Sequence, residues 1–116
     1  MNISVILPAF NEELNIKIAI ESIIVYLGGK KINNWEIIVV DDGSTDKTGE
    51  EVEKIKKVQD NIVLKRHKLN LGYGQALQTG IESVKFDWIF ITDSDLQFFI
   101  NDLDKFIPLT NIYNFI

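Results

Sequence analysis

The sequence predicts an α/β fold with a mostly parallel central sheet. Three observations lead to this prediction: short apolar runs alternate with longer segments of helical periodicity, a polar turn follows each apolar run, and no repeat or linker divides the chain. Strands that alternate with helices of this length form βαβ units. Because such strands are parallel and their crossovers right-handed, we expect all the strand ends and their loops at one edge of the sheet.

The first strand–helix unit occupies the start of the chain. Residues 3–7 form a predicted buried strand, ended by Pro8. Asn11 is the predicted cap of the following helix, with Glu12 and Glu13 in its first turn, where acids complement the helix dipole. The helix has a predicted apolar face and ends at two glycines: Leu14, Ile18, Ile20, Ile23, Ile24 and Leu27, followed by Gly28 and Gly29.

The second unit is a strand at residues 36–40 and a mostly polar helix at about 48–58. The predicted inward-facing residues of that helix are Val52, Ile55 and Val58. A third strand begins at residues 62–64, and after a glycine-containing loop at 70–74 a helix continues to about residue 84 through Ala76, Leu77 and Ile81. Residues 88–92 form the fourth predicted strand, 102–106 a short helix, and 112–116 the start of another strand.

Composition limits the class of protein. The 116 residues suffice for one domain with a single core. Seventeen acids against 12 bases give a net charge of −5, which argues against a nucleic-acid-binding protein. The absence of cysteine excludes disulfides and thiolate metal sites. No signal peptide and no apolar run long enough to span a membrane is visible, so we expect a soluble, cytoplasmic chain.

Asp93 and Asp95, one residue apart, directly follow the apolar run at 88–91. Acids at the end of a buried strand face the crevice where open α/β sheets bind ligands. Their oxygens suit Mg²⁺ or Mn²⁺, which usually clamp phosphates, and Gln97 could complete the ligand set. The alternative is a helix-capping or solvated acidic turn. The acidic pair therefore indicates an enzyme that acts on a phosphorylated or nucleotide-linked substrate.

Two loops upstream could complete such a site. After the first strand, residues 8–12 could hold a base or sugar through exposed backbone and Glu12, or they could be only a strand end and a helix cap. Asp41 and Asp42 repel each other at the end of the second strand, and a bound base or ribose would supply the hydrogen-bond donors that they need. The alternative is a tight Asp-Gly turn.

The loop from Asn70 to Gly74 resembles a phosphate cradle at a helix N-terminus, and its alternative is a flexible loop. A nicotinamide dehydrogenase would need its glycines after the first strand, where this chain has Pro8. His67 is predicted to be a surface residue rather than a catalytic base, and Trp35 and Trp88 to be core or rim residues.

Taken together, these segments resemble the family 2 glycosyltransferases of the GT-A fold. Four stretches match in the family's order and spacing, and the resemblance covers residues 3 to about 107: VILPAFNEE at 5–13, IVVDDGSTD at 38–46, NLGYGQA at 70–76 and DSDLQ at 93–97. The last stretch is most similar to the branch that transfers sugars to polyprenyl phosphates, such as dolichyl phosphate. The implied fold is a Rossmann-like three-layer sandwich.

The resemblance also implies roles for particular residues. The implied nucleotide-sugar site comprises Pro8, Ala9, Asn11, Glu12, Asp41, Asp42, Gly72, Asp93 and Ser94. The implied ligands of Mg²⁺ or Mn²⁺ are Asp93, Asp95 and Gln97, and the metal stabilises the departing nucleoside diphosphate. The donor would be a UDP- or GDP-sugar, and the acceptor a lipid phosphate or a glycan. The family inverts the anomeric configuration, and a phosphate acceptor is already ionised, so that it needs little help from a base.

In the family, the acceptor half of the domain and its catalytic base follow the first acidic pair. We therefore expect residues 1–116 to be the nucleotide-binding half of a truncated GT-A domain, which transfers sugar poorly or not at all by itself. The resemblance allows the whole protein to lie at the cytoplasmic face of a membrane. An unpaired sheet edge could also bring two copies of the chain together.

Three other interpretations remain open. A haloacid-dehalogenase-type phosphatase also has two aspartates one residue apart, but on its first strand, with Thr or Val where this chain has Gln97. A phospho-acceptor receiver domain needs an aspartate after the third strand, where residues 65–69 contain no acid. The third is a truncated, non-catalytic fragment that binds a nucleotide or that folds only with a partner.

Overall fold

The computed structural model describes residues 2–29 and 32–92 of the chain. Within these ranges, strands and helices alternate in the predicted order: β1 Asn2–Ala9, α1 Ile16–Gly28, β2 Asn34–Asp41, α2 Thr48–Lys56, β3 Ile62–Arg66, α3 Tyr73–Ser83 and β4 Trp88–Ile91. The helix predicted at 102–106 and the strand at 112–116 lie outside the described residues.

The strands form one parallel sheet with the order β3-β2-β1-β4. This order confirms the predicted α/β class, and it differs from the 2-1-3 order of receiver domains. From β1 the chain proceeds outward to β3, and then returns to the opposite side of β1 to form β4. The strand order thus reverses between β1 and β4, and open α/β sheets bind ligands at the carboxyl ends of strands at such a reversal.

Helices cover both faces of the sheet. Alternate residues of β1, such as Val5 and Leu7, belong to a large core with buried residues of α1 and α2. Ile38 and Val40 of β2 point to the opposite face, where they pack with Ala76 of α3. The molecule is therefore the expected three-layer sandwich. Trp35 and Trp88 pack against the large core while partly exposed, as predicted.

β1 continues through Pro8 rather than ending there, because Pro8 pairs in register with Val40 of β2. Along a strand, the backbone N–H and C=O groups of successive residues point in turn to one neighbouring strand and then to the other. The backbone groups of Pro8 therefore point to the same side as those of Ile6, toward β4. The ladder between β1 and β4 ends at the pair Ile6–Ile91, followed by a bond from the Thr92 amide to the Ile6 carbonyl. The missing N–H of Pro8 therefore falls where this ladder stops, a position at which proline is tolerated.

The start of α1 was wrongly predicted. The helix begins at Ile16, with Asn15 rather than Asn11 at its N-cap position and without an acid in its first turn. Glu12 and Glu13 precede the helix, and Leu14 is 86% exposed. The buried stripe has the helical spacing 16, 19, 20, 23, 27, and Ile18, which we expected to face the core, lies on the other side and is 53% exposed.

The later helices, α2 and α3, differ from the prediction in smaller ways. α2 ends at Lys56, so that Val58 lies beyond it and is largely exposed instead of facing inward. α3 begins at Tyr73, which places Gly74 inside the helix. The residues that α3 buries are Ala76 and Gly80, whereas the larger Leu77 and Ile81 are only partly buried. Small residues on this face let the helix approach the sheet closely.

A buried polar cluster closes the amino end of the sheet. Glu36 is 2% exposed, and its Oε2 accepts hydrogen bonds from the Ser4 hydroxyl at 2.6 Å and the Lys85 amide at 2.9 Å. Ser4 Oγ in turn accepts from the Phe86 amide at 3.3 Å. The cluster therefore fixes the connection between α3 and β4 to the two central strands.

No helix within the described ranges is long and apolar enough to cross a bilayer. β3 and β4 form the two edges of the sheet in this part of the chain, and association of two copies through an edge stays a prediction.

Candidate functional site

Three of the four predicted site loops lie together at the carboxyl edge of the sheet. They follow β1 at residues 10–15, β2 at 42–47 and β3 at 67–72. The fourth predicted loop follows Thr92 in the sequence, and the Thr92 amide donates to the Ile6 carbonyl at 3.0 Å beside the end of β1. Asp93, Ser94, Asp95 and Gln97 lie outside the described residues.

Asn11 connects the β1 loop to the β2 loop. Its backbone has a φ of 53°, a left-handed conformation that asparagine tolerates better than most residues. Its Oδ1 accepts from the Thr45 amide at 2.9 Å and from the Thr45 hydroxyl at 3.3 Å, while its own amide donates to Ser44 Oγ at 2.9 Å. The residue predicted to cap α1 therefore joins two loops that are 33 residues apart in sequence.

Asp46 and Thr48 extend this connection. Thr48 Oγ1 accepts from the Glu12 amide at 2.8 Å, and Asp46 Oδ2 accepts from the Glu13 amide at 3.2 Å. Asp46 Oδ1 also accepts from the Thr48 amide at 2.9 Å, at the start of α2. Burial alone would raise the pKa of Asp46, but the hydrogen bonds from Thr48 and Glu13 outweigh it, so the pKa lies below its ordinary value of 3.8.

The sequence did not predict the roles of Ser44, Asp46 and Thr48. Their signal was the run of Ser, Thr and Asp before a helix, which is typical of N-terminal capping. Such a run does not reveal that the partners lie in another loop.

The Glu12 side chain lies at an open depression. Its Oε2 accepts from Asn15 Nδ2 at 3.3 Å, and residues 11–15 and Asp46 line a cavity of about 230 Å³. By contrast, Pro8 and Ala9 are buried, and the Ala9 carbonyl accepts from the Asp42 amide at 2.9 Å. Of Pro8, Ala9 and Glu12, Glu12 is the residue that lines this cavity.

Asp41 has partners within the chain. The residue is 1% exposed; its Oδ1 accepts from the Ser44 amide at 3.1 Å, and its Oδ2 lies 3.3 Å from Arg66 Nε. Arg66 also pairs with Glu50 at 3.3 Å. We expected a ligand to supply the donors for the two adjacent acids, and for Asp41 the chain supplies them instead.

Asp42 has even more partners. Its Oδ1 lies 2.7 Å from His67 Nδ1 and accepts from the Leu71 amide at 2.9 Å, and its Oδ2 accepts from the Gly72 amide at 3.0 Å. Burial alone would raise the pKa of Asp42, but these hydrogen bonds and the nearby His67 outweigh it, so the pKa lies below its ordinary value of 3.8. Asp42 is therefore an ionised, firmly held carboxylate.

These contacts also change the interpretation of the 70–74 loop. Gly72 has a φ of 100°, which favours glycine, as a cradle would require. However, the amides of Leu71 and Gly72 donate to the Asp42 carboxylate rather than pointing at open space. In this arrangement a carboxylate of the chain occupies the position that we expected for a phosphate.

His67 is not the surface residue that the sequence predicted. Its side chain is 10% exposed, and its ring joins Asp42 to Thr79, with Nε2 2.8 Å from Thr79 Oγ1. A lone histidine after a strand carries no sequence signal for such contacts, because Asp42 and Thr79 are 25 and 12 residues away.

Within residues 2–29 and 32–92, no three His, Asp or Glu side chains are placed to hold a metal ion. The predicted ligands Asp93, Asp95 and Gln97 are outside these ranges, so the divalent-metal site stays a prediction.

Comparisons with known proteins agree with this geometry. The family model described as Glycosyl transferase family 2 matches residues 4–112. A dolichyl-phosphate beta-glucosyltransferase, ALG5A of Trichomonas vaginalis, is 34% identical over 106 residues, which cover 88% of this chain and 33% of the relative. This chain thus spans about a third of that relative.

Two solved structures are also similar. Residues 1–349 of S. aureus TarS in complex with UDP-GlcNAc have a TM-score of 0.71 and 29% identity, covering 82% of this chain and 27% of that TarS chain. The glucosyl-3-phosphoglycerate synthase of Mycobacterium tuberculosis, in complex with Mn²⁺, UDP-glucose and phosphoglyceric acid, has a TM-score of 0.62 and 31% identity, covering 81% of this chain and 33% of the synthase.

The family match decides against the phosphatase and receiver-domain interpretations. It extends over nearly the whole sequence and includes all three loops of the described site as well as the acidic pair. This chain belongs to glycosyl transferase family 2.

Proposed function

We propose that residues 1–116 form the donor-binding part of a glycosyltransferase that uses a nucleoside-diphosphate sugar and a divalent metal. The proposal rests on one observation above all. The loops after β1, β2 and β3 are tied together by side chains at the edge where the strand order reverses, next to the end of β4. A crevice at this position suits a nucleotide.

Asp42 is our candidate for contact with the nucleobase. A carboxylate offers about four acceptor positions. Among the described residues, Asp42 Oδ1 has two donors and Oδ2 has one, Gly72. Oδ2 can therefore accept one further N–H, such as that of a base. Asp41 is the second candidate, since it is 1% exposed against 4% for Asp42.

The remaining predicted residues have supporting roles in this proposal. Glu12, at the open depression, can accept hydrogen bonds from ribose hydroxyls, and Asn11 holds the β1 loop against the β2 loop. Pro8 and Ala9 form the backbone wall at the end of β1, and Gly72 orients Asp42. Each contributes to shaping the nucleotide site rather than to bond cleavage.

The acidic pair would hold the metal. Carboxylate and amide oxygens of Asp93, Asp95 and Gln97 have the donor chemistry that Mg²⁺ and Mn²⁺ prefer, with Ser94 beside the diphosphate. When bound, such a metal acts as a Lewis acid that stabilises the charge on the leaving nucleoside diphosphate. The synthase that binds Mn²⁺ together with UDP-glucose supports this assignment.

We further propose that transfer inverts the anomeric carbon and that the acceptor is a polyprenyl phosphate or another lipid or glycan. The similarity to a dolichyl-phosphate glucosyltransferase favours the phosphate. An ionised phosphate oxygen attacks without prior loss of a proton, so the acceptor itself reduces the need for a general base. The whole protein would then work where its lipid acceptor lies, at the cytoplasmic face of a membrane.

Calorimetric titration of this chain with UDP-glucose and GDP-mannose, with and without Mn²⁺, tests the proposal. We expect binding of at least one donor that requires the metal and is lost in Asp95→Ala, whereas the matched variant Asp104→Ala keeps it. No binding, or binding that withstands both EDTA and Asp95→Ala, would contradict the metal–donor site. An assay of sugar transfer to polyprenyl phosphate then separates a working enzyme from a fragment that only binds the nucleotide.

A further inference from the structure

His67 links the end of β2 to the middle of α3. Its Nδ1 lies 2.7 Å from Asp42 Oδ1, and its Nε2 lies 2.8 Å from Thr79 Oγ1. All three side chains are at least partly buried, with exposed fractions of 10% for His67 and 6% for Asp42. Neither the predicted site nor the motif matches assign a role to His67 or Thr79.

The hydrogen-bonding chemistry fixes the direction of the contact with Asp42. An ionised carboxylate only accepts hydrogen bonds, so Nδ1 of His67 must carry the proton. Nε2 can then accept from the Thr79 hydroxyl when the ring is neutral, or donate to the same oxygen when it is charged. In both the neutral and the charged ring, Nδ1 donates a hydrogen bond to Asp42, so this contact requires no particular charge on His67.

The contacts close a ring through α3. Thr79 lies on α3, whose N-cap residue is Gly72, and the Gly72 amide donates to Asp42 Oδ2. Asp42 is therefore held from two sides, by the Leu71 and Gly72 amides and by the rigid imidazole of His67. Among the described residues, His67 and Leu71 both bond to Oδ1 and Gly72 bonds to Oδ2, so the remaining acceptor position within this part of the chain lies on Oδ2.

We propose that His67, supported by Thr79, is a positioning residue that orients Asp42 to select nucleobases with a ring N–H. This inference rests on the proposed nucleotide site. A fixed acceptor pairs with the ring N–H of uracil or guanine, whereas cytosine and adenine present an unprotonated ring nitrogen at the corresponding edge. A site with a buried polar group aimed at one donor discriminates strongly against a ligand that lacks it.

The test is a titration of UDP, GDP, CDP and ADP, each with Mn²⁺, against the unmodified chain and four variants. His67→Ala removes the hydrogen bond to Asp42, whereas His67→Asn keeps one donor for Asp42. Thr79→Val removes only the hydroxyl that supports the His67 ring. Gln78→Ala is the control on the exposed side of α3. We expect His67→Ala to weaken binding of the preferred diphosphate about tenfold and to leave binding of the others nearly unchanged. The variant should therefore lose its preference among the bases. His67→Asn should recover part of the preference, Thr79→Val should lose part of it, and Gln78→Ala should match the unmodified chain.

Selectivity distinguishes positioning from folding. If His67 has a purely structural role, His67→Ala should weaken binding of all four diphosphates equally. Either that result or an unchanged base preference in His67→Ala overturns the inference and leaves the proposed function intact. If His67→Ala does not fold, unchanged preference in both His67→Asn and Thr79→Val overturns it instead. If the unmodified chain binds none of the four, the proposed function fails and this inference fails with it.

Discussion

The main chain of Gly43 passes so close to that of Leu69 that a Cβ on Gly43 would lie 2.3 Å from the Leu69 carbonyl carbon. Gly43 also has a φ of 75°, which favours glycine. The turn after β2 and the loop after β3 are therefore in direct backbone contact. This contact brings Asp42 within reach of the Leu71 and Gly72 amides.

Gly43→Ala should destabilise the protein because neither the backbone of Leu69 nor the left-handed φ can accommodate a side chain. We expect the free energy of unfolding, measured by urea titration, to fall by about 2 kcal/mol or more. Gly74→Ala is the control, since a Cβ there meets no atom within 4 Å and the residue lies in α3. It should be neutral or slightly stabilising. Equal losses in both variants would show that the close contact is not the cause.

Asn11→Ala should loosen the connection between the β1 and β2 loops. Asn11 has a φ of 53° and two bonds to Thr45 through its side chain, so alanine loses both the conformational tolerance and the bonds. Asn11→Gly keeps the backbone conformation and loses only the bonds. We expect the alanine variant to be about 1 kcal/mol less stable than the glycine variant in urea titrations. If the two are equally stable, the left-handed backbone of Asn11 is not a constraint.

The sequence predicted most of the fold because the two central strands, β1 and β2, are buried on both faces. Continuous apolar runs such as residues 3–7 predict strands of this kind, and the alternation with helices then predicts the parallel sheet. The start of α1 was missed because asparagine before an apolar periodic segment has the same appearance whether it caps the helix or, as Asn11 does, binds Thr45.

The site was predictable as a set of loops but not as a set of contacts. Parallel topology places the ends of β1, β2 and β3 together, so the positions of Glu12, Asp42 and Gly72 at one edge follow from the pattern. That Asp42 binds His67 and two backbone amides depends on the three-dimensional path of the β3 loop. A local pattern contains no information about such long-range pairs.

Acid should destabilise the protein through Asp42 and Asp46. The folded-state pKa of each lies below its ordinary value of 3.8, so the ionised forms stabilise the fold above that pH. This contribution is lost as the pH falls from 3.8 through the lower folded-state values. We expect the urea concentration at the midpoint of unfolding to decrease as the pH falls below about 4. This decrease should be less steep in Asp42→Asn and in Asp46→Asn.

The exposed, uncharged substitution Gln75→Ala serves as the control and should keep the acid dependence of the unmodified chain. The prediction fails if Asp42→Asn and Asp46→Asn both retain the full slope between pH 5 and pH 2.5. In that case other groups cause the acid unfolding.

Gly80 and Ile6 should be energetically coupled. A Cβ on Gly80 would lie 2.5 Å from Ile6 Cγ2, so Gly80→Ala overpacks the contact between α3 and β1. We expect a loss of about 1–3 kcal/mol for Gly80→Ala and about 3 kcal/mol for Ile6→Ala. The double variant should lose clearly less than the sum, because the new methyl group fills part of the space that Ile6 vacates. Strict additivity in urea titrations would argue against a direct steric contact.

Glu36→Ala should reduce stability without affecting nucleotide binding. The change leaves the buried Ser4 hydroxyl and the Lys85 amide without their acceptor, which we expect to cost about 2 kcal/mol. Because the cluster lies at the amino end of the sheet and the proposed site at the carboxyl edge, the dissociation constant of the donor at low temperature should stay the same. Glu53 provides the control, because it is exposed and its Oε1 lies 3.9 Å from Lys56 Nζ. Glu53→Ala should change the free energy of unfolding by less than about 0.5 kcal/mol. A weaker donor affinity in folded Glu36→Ala would mean that the connection between α3 and β4 transmits strain to the site, and the two ends of the sheet would then not be independent.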